Sequence, residues 1–154
     1  MEITKHADQA PLLRDLPSRL LNQTAILVGR TVNAVLAREG TDRYQFAVVA
    51  TLEAFGPASQ ADLCRRTNID RSDMNAVING LEAEGLATRL PHPDDRRQNI
   101  VAMTDAGAAR FARLKADLAV AQDLALAPLD APERRELVRI LRILHDHHAA
   151  SPPS

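Results

Sequence analysis

Several features that would quickly assign a function are missing from this sequence. It holds one cysteine, Cys64, among 154 residues, so no internal disulfide can form and a reducing compartment is expected. No run approaches the roughly 18 consecutive apolar residues of a membrane span, so no membrane partner is expected. The opening stretch MEITKHADQAPLLRDLPSRLL has no basic cap followed by a long apolar run. A secretory leader is therefore not expected, and the expected location is cytoplasmic. Aromatic residues make up only 3% and tryptophan is absent, so the core must be built from Leu, Val, Ile and Ala. That composition favours packed helices over a β-sandwich. There is no Gly-rich phosphate loop, no HExxH pair and no nucleophile elbow, so no enzyme activity and no catalytic residue are predicted.

A surplus of positive charge is missing too. Seventeen Arg and two Lys stand against 20 acidic residues, leaving a net charge of -1. Domains that hold nucleic acid through charge alone show a strong basic excess. Any DNA-binding reading must therefore rest on where the charge sits. The hydrophobic fraction of 45% and charged fraction of 25% exclude wholesale disorder, and the length fits one domain.

What is present is clear punctuation. Pro17 suits a first helical turn, and Leu16, Leu20, Leu27, Val28, Val32, Val35 and Leu36 recur at helical spacing up to Gly40. The spacing predicts a long helix over 17–39. A second helix begins near Thr41–Asp42, with Tyr44, Ala47, Val48, Thr51, Leu52 and Phe55 on one face, and stops at Gly56–Pro57. Ser59 caps a short third helix, with Asp62 three residues on, that ends near Thr67–Asn68. Asp70 caps the next, predicted over 70–84, whose stripe Met74, Val77, Ile78, Leu81 keeps i, i+3, i+4, i+7 spacing up to Gly85.

The period then changes. LATRL (86–90) and NIVAMT (99–104) are short β-competent runs around a polar, proline-containing segment, which predicts a two-stranded hairpin with a charged tip. Thr104–Asp105 opens a helix expected over 105–127, and Asp130 with Glu133 forms a capping box for a last helix over 131–148. SPPS reads as a frayed tail after a polar lead of about ten residues. The predicted fold is mainly α: a winged helix-turn-helix with a two-stranded β-wing, flanked by long outer helices. Those outer stripes are too apolar for the small module alone, so they are expected to form a dimerisation core.

At this point the stretch from Asp70 to Gly107 resembles the MarR (multiple antibiotic resistance regulator) family. The features that carry the resemblance are the helix end LEAEGLATR, the wing element DDRRQ and the strand-to-helix junction MTDAG. The element order agrees from about residue 12 to 148. The resemblance implies one domain over 1–154, with a DNA-binding lobe at 41–104 and dimerisation helices at 12–40 and 105–150. It implies a cytoplasmic homodimeric repressor of transcription that binds a pseudo-palindromic stretch of double-stranded DNA and answers to a small-molecule effector. Arg30 and Tyr44 are the candidates for the effector cleft. No cofactor and no metal are implied.

The chemistry of the candidate residues can be argued separately. A helix entering the major groove needs small or hydrogen-bonding side chains opposite its apolar stripe. Here those positions are Arg71, Ser72, Asp73, Asn75, Ala76 and Asn79. Asn pairs bidentately with adenine, Ala packs on a thymine methyl, and Ser serves bases or phosphates. Asp73 repels phosphate, and accepts from cytosine or caps the helix instead. A solvated helix face is the competing reading. Arg96 and Arg97 lie at the hairpin tip, where a guanidinium can enter a narrow minor groove; a self-neutralised surface loop is the alternative. By the resemblance, Asp95 pairs with a nearby Arg to fix the wing, and Arg97 reaches the groove. Ser59 and Gln60, with Arg43, Arg65 and Arg66, are candidates for phosphate contacts.

Three further signals in the sequence are weaker. Cys64 falls on the apolar side of its helix, as a core thiol does, and a redox role is the alternative. His145, His147 and His148 form a thin metal pattern, and histidines near a helix C-terminus also complement its dipole. Asp73 is the best support for a second function, a winged-helix protein-interaction module without specific DNA binding.

Overall fold

The computed structural model describes residues 9–150. The tail at 151–154, read from sequence as frayed, and most of the polar lead lie outside the described residues. The elements run α1 (Pro11–Arg14), α2 (Pro17–Arg38), α3 (Arg43–Phe55), β1 (Ala58–Ser59), α4 (Gln60–Thr67), α5 (Arg71–Ala83), β2 (Ala87–Pro91), β3 (Asn99–Met103), α6 (Asp105–Ala125) and α7 (Ala131–Ala150). The order predicted from sequence is present, with ends shifted by one or two residues. Two elements were not anticipated: the single turn α1 and the two-residue strand β1.

β1 turns the expected hairpin into a three-stranded antiparallel sheet of order β1-β3-β2. Ala58 pairs with Val101 and Ser59 with Ile100, which places β3 at the centre. Val101 is accordingly buried. β2 is an edge, and an edge tolerates Pro91 because no partner needs its missing amide hydrogen. The wing itself is two-stranded, as expected. The third strand anchors its base to the start of α4.

The helices start where their caps dictate. Asp42 accepts from the amides of Tyr44 and Gln45 at 2.8 and 2.9 Å and starts α3. Thr104 Oγ1 accepts from Gly107 at 3.1 Å and donates to the Gly85 carbonyl at 2.7 Å, which joins the start of α6 to the end of α5. Asp130 and Glu133 form the expected reciprocal box, at 2.8 and 2.9 Å. Gly85, at φ 70°, takes the left-handed conformation that turns α5 into β2.

One aliphatic core lies under α3, α4, α5 and the sheet. Val48, Leu63, Met74, Ile78, Leu81 and Val101 are its most completely buried members. Burying each such large side chain contributes about 1.5–3 kcal/mol. Phe111 of α6 closes the core, its ring 5.5 Å from that of Phe46. The scarcity of aromatics thus has the effect foreseen: branched aliphatics fill the interior.

The outer helices are different. Leu36 is the only buried residue of α2, and α7 has none over its 20 residues. Leu20, Leu21 and Val28 of α2 face Leu126, Leu137 and Leu141 across an open apolar groove of about 550 Å³. Arg110 of α6 straps this layer to the small module. Its guanidinium pairs with Glu84 at 2.8 Å and also donates to the Glu39 carbonyl, tying the ends of α2 and α5 to one side chain.

Candidate nucleic-acid interface

The turn between α4 and α5 is built from three residues. Asn68 sits at φ 55°, the left-handed position that Asn tolerates better than most side chains. Ile69 is buried and anchors the turn, and Asp70 opens α5. The Asp70 carboxylate accepts from the Asp73 amide at 2.9 Å and from the Ser72 hydroxyl at 2.8 Å. These two bonds, the amide first, hold its pKa below the ordinary 3.8. Asp62 of α4 is lowered likewise, by Arg65 first and then Ser59.

The sign follows from linkage. A carboxyl whose pKa is lowered by folding stabilises fully above its ordinary value and loses that contribution as pH falls through its folded-state value. The thermal-stability gap between wild type and Asp70→Ala should therefore be widest at neutral pH and narrow below about pH 3.8. Thermal melts of both proteins across that range check this. A gap independent of pH would assign the cap to some other group.

The exposed face of α5 carries every residue nominated from sequence. Arg71, Ser72, Asp73, Asn75, Ala76 and Asn79 are exposed, while Met74, Val77, Ile78 and Leu81 point into the core. Asp70 caps the helix as its position predicts, so the capping alternative for Asp73 falls away, and the Ser72 hydroxyl is committed to the Asp70 cap. A hydroxyl that already donates to a carboxylate keeps only acceptor capacity for other partners.

The first short helix is more engaged than foreseen. Ser59 Oγ accepts from the Asp62 amide and donates to the Asp62 carboxylate, both at 3.1 Å. Gln60 Nε2 reaches the Arg71 carbonyl at 3.4 Å, linking the starts of α4 and α5. Arg65 pairs with Asp62 at 3.0 Å. Arg66 lies over the exposed Phe55 ring at 4.0 Å, and Arg43 over Tyr44 at 5.0 Å. Cys64 is half-buried against the core and borders a surface hollow shared with Gln60, Arg65 and Arg71.

At the wing tip, Arg96 and Arg97 are both exposed. The role given to Asp95 by resemblance needs correction. Its carboxylate accepts from the Arg97 backbone amide at 3.0 Å, not from a guanidinium. An Asp two residues before an amide closes an Asx turn more easily than it reaches across the loop. Asp95 still shapes the tip, but through the backbone.

One residue of this surface was missed. From the sequence, Arg89 on β2 reads only as one more charge of the wing strand. Its side chain instead crosses to α5, where it ion-pairs with Glu82 and donates to Asn79 Oδ1 at 2.9 Å and Asn75 Oδ1 at 3.1 Å. The Arg89 amide also donates to Glu82 at 2.9 Å. The available signal was the i, i+4, i+7 spacing of Asn75, Asn79 and Glu82, which puts all three on one edge of the helix.

Elsewhere, His145 Nδ1 lies 3.3 Å from the Asp146 carboxylate, and the His147 and His148 rings meet edge-on at 5.0 Å. Among the described residues no group of three or more His, Cys, Asp or Glu side chains is arranged to hold a metal ion. No helix among them is long and apolar enough to cross a membrane.

An exposed polar helix face beside a basic-tipped β-hairpin defines a winged helix-turn-helix, a class of DNA-binding domain. Comparison with known proteins identifies the family. The MarR family model matches residues 39–98. A helix-turn-helix transcriptional repressor of Mycobacterium bovis is 30% identical over 138 residues, 90% of this chain and 96% of that protein. The repressor NicR of Pseudomonas putida is 32% identical over 102 residues, 66% of this chain and 65% of its own length. Among solved structures, the transcriptional repressor CouR, bound to a 23-mer DNA duplex, superposes with a TM-score of 0.83. It is 27% identical, covering 89% of this chain and 97% of its own. The PcaV regulator of Streptomyces coelicolor, in complex with its natural ligand, is 26% identical with a TM-score of 0.75, covering 95% and 98% of the two chains. The chain belongs to the MarR family of DNA-binding, winged-helix transcriptional regulators.

Proposed function

We propose that this protein is a homodimeric repressor that binds a pseudo-palindromic operator in the cytoplasm. The observation that carries the reading is the division of α5. Its apolar stripe is buried to the last residue, and Arg71, Asn75, Ala76 and Asn79 stand exposed on the opposite side. Each α5 would enter a major groove, and Arg96 and Arg97 of each wing would reach the flanking minor groove. Two-fold symmetry then sets half-sites about one helical turn apart.

The dimer is supported by α2 and α7, which leave Leu21, Ile26, Leu27, Val138, Leu141 and Ile143 exposed within one chain. The DNA reading is supported by the likeness to CouR bound to its duplex. Response to a small molecule is supported by the likeness to PcaV with its ligand. A cavity of about 300 Å³ between Asn33, Leu36, Thr41 and Arg43, where α2 meets α3, is a fitting place for one. An effector acts there only by binding the non-DNA-competent arrangement more tightly than the competent one. This reading assigns the protein no catalytic step.

The test is selection of bound sequences from a random duplex pool, followed by titration of the enriched site. An inverted repeat is expected. Asn75→Ala and Arg97→Ala should each weaken its binding by about 1–3 kcal/mol. A protein-interaction module, the second reading, is favoured by the exposed Asp73 carboxylate. Equal affinity for the enriched and the random duplex would establish that module in place of the repressor.

A further inference from the structure

From the network around Arg89 we infer that this arginine is a specificity-positioning residue. It locks the Asn75 and Asn79 carboxamides with their oxygens inward and their NH2 groups toward the groove, so that they select guanine over adenine. The inference rests on the DNA-binding reading of α5 and deepens it.

A carboxamide has one accepting and one donating end of nearly equal size, so a free surface Asn can present either. A guanidinium has donors and no acceptor, so any Asn atom it touches by hydrogen bond must be the oxygen. Arg89 makes this choice twice. Nη1 donates to Asn79 Oδ1 at 2.9 Å and Nη2 to Asn75 Oδ1 at 3.1 Å. The two Asn residues stand four apart, on the same edge of α5, within the span of one planar fork.

The fork is itself held. Its Nη1 ion-pairs with Glu82 while the Arg89 amide donates to the same carboxylate at 2.9 Å. The Arg89 side chain is only 23% exposed. Neither amide can then flip without breaking a charge-assisted bond.

The consequence for recognition follows from the edges of the bases. Guanine shows two acceptors in the major groove, N7 and O6, and both suit an outward NH2 group. Adenine shows the N7 acceptor beside an N6 donor. Its familiar bidentate pairing with Asn needs the carboxamide oxygen that Arg89 holds inward. Thymine O4 is acceptable as a single acceptor, whereas the cytosine N4 donor is not. Asparagine as a residue type suggests adenine, so the two readings point to different operators.

The test is a comparison of bound-sequence selections for wild type, Asn75→Ala and Arg89→Lys. The position whose preference disappears in Asn75→Ala identifies the base that Asn75 reads. Lysine keeps a charge for Glu82 but lacks the planar fork that spans both amides. Wild type is expected to prefer guanine over adenine there by roughly tenfold, and Arg89→Lys to reduce that preference to about twofold or less. A Glu82→Leu, Arg89→Met double variant, checked by thermal melting, removes both partners together and should show the same relaxation if Arg89→Lys does not fold. An adenine preference in wild type, or a guanine preference that survives both variants, overturns the inference while leaving a DNA-binding repressor in place. Failure of the wild type to enrich any sequence removes the DNA reading, and this inference with it.

Discussion

Leu141→Glu is expected to convert the protein to a monomer and to weaken operator binding by about 10²–10⁴-fold. The reason lies in α7. None of its residues is buried within one chain, yet it carries Val138, Ile140, Leu141, Ile143 and Leu144. Monomeric proteins rarely leave contiguous apolar patches of that kind in water. In the proposed homodimer a second copy would cover them at the least cost in new sequence, because a two-fold interface uses one patch twice. A glutamate placed there is likewise introduced twice, and an unpaired carboxylate in an apolar interface costs several kcal/mol.

The DNA effect follows from linkage of the half-sites. When two recognition helices share one scaffold, the second binds as an intramolecular event. Sedimentation would report the change of mass, and titration of the selected duplex the loss of affinity. The variant's α3–α5 core is remote from the change, so its helical circular dichroism signal should persist. A variant that stays dimeric with wild-type affinity would place the interface on another surface.

Gly107→Ala is expected to destabilise the fold by about 3 kcal/mol. Gly107 sits in the first turn of α6, where its amide donates to Thr104 Oγ1 at 3.1 Å. A Cβ at this position would lie deep inside the van der Waals shell of the Leu86 carbonyl oxygen and 2.8 Å from Met103 Cγ. Met103 could move aside. The Leu86 carbonyl cannot, because it also accepts from the Thr104 amide at 3.1 Å and belongs to the turn after α5. The added methyl would therefore push α6 off the base of the wing. For a chain of this size the loss corresponds to a fall in melting temperature of roughly 6–12 °C. A melting temperature within about 2 °C of wild type would mean that the junction relaxes freely. The glycine in MTDAG is thus a packing requirement at the joint between the outer helices and the DNA-binding lobe.

Much of the candidate site was legible because it depends on local rules. The spacing Met74, Val77, Ile78, Leu81 fixes which side of α5 turns inward, and the remaining positions follow by geometry alone. Asp42, Asp70, Thr104 and Asp130 each act within three residues of themselves, so their caps could be read directly. Asp95 was legible as a wing-shaping residue. Its partner was not, since a carboxylate beside both a guanidinium and an amide has two partners in reach and only the loop path selects between them.

What the sequence by itself determined, then, is the order and type of the long elements, the polar face of α5 and the basic wing tip. Each of these follows from periodicity or from a cap acting over a few residues. Only the tertiary structure decided the rest. β1 has two residues and hence no period, and it exists because β3 offers it a free edge. Arg89 lies ten residues beyond Asn79 and 14 beyond Asn75, and it meets both only because the turn at Gly85 folds β2 back along α5. The strap from Arg110 to Glu39 spans 71 residues. Such contacts depend on how elements stack, and no local pattern of residue types records that.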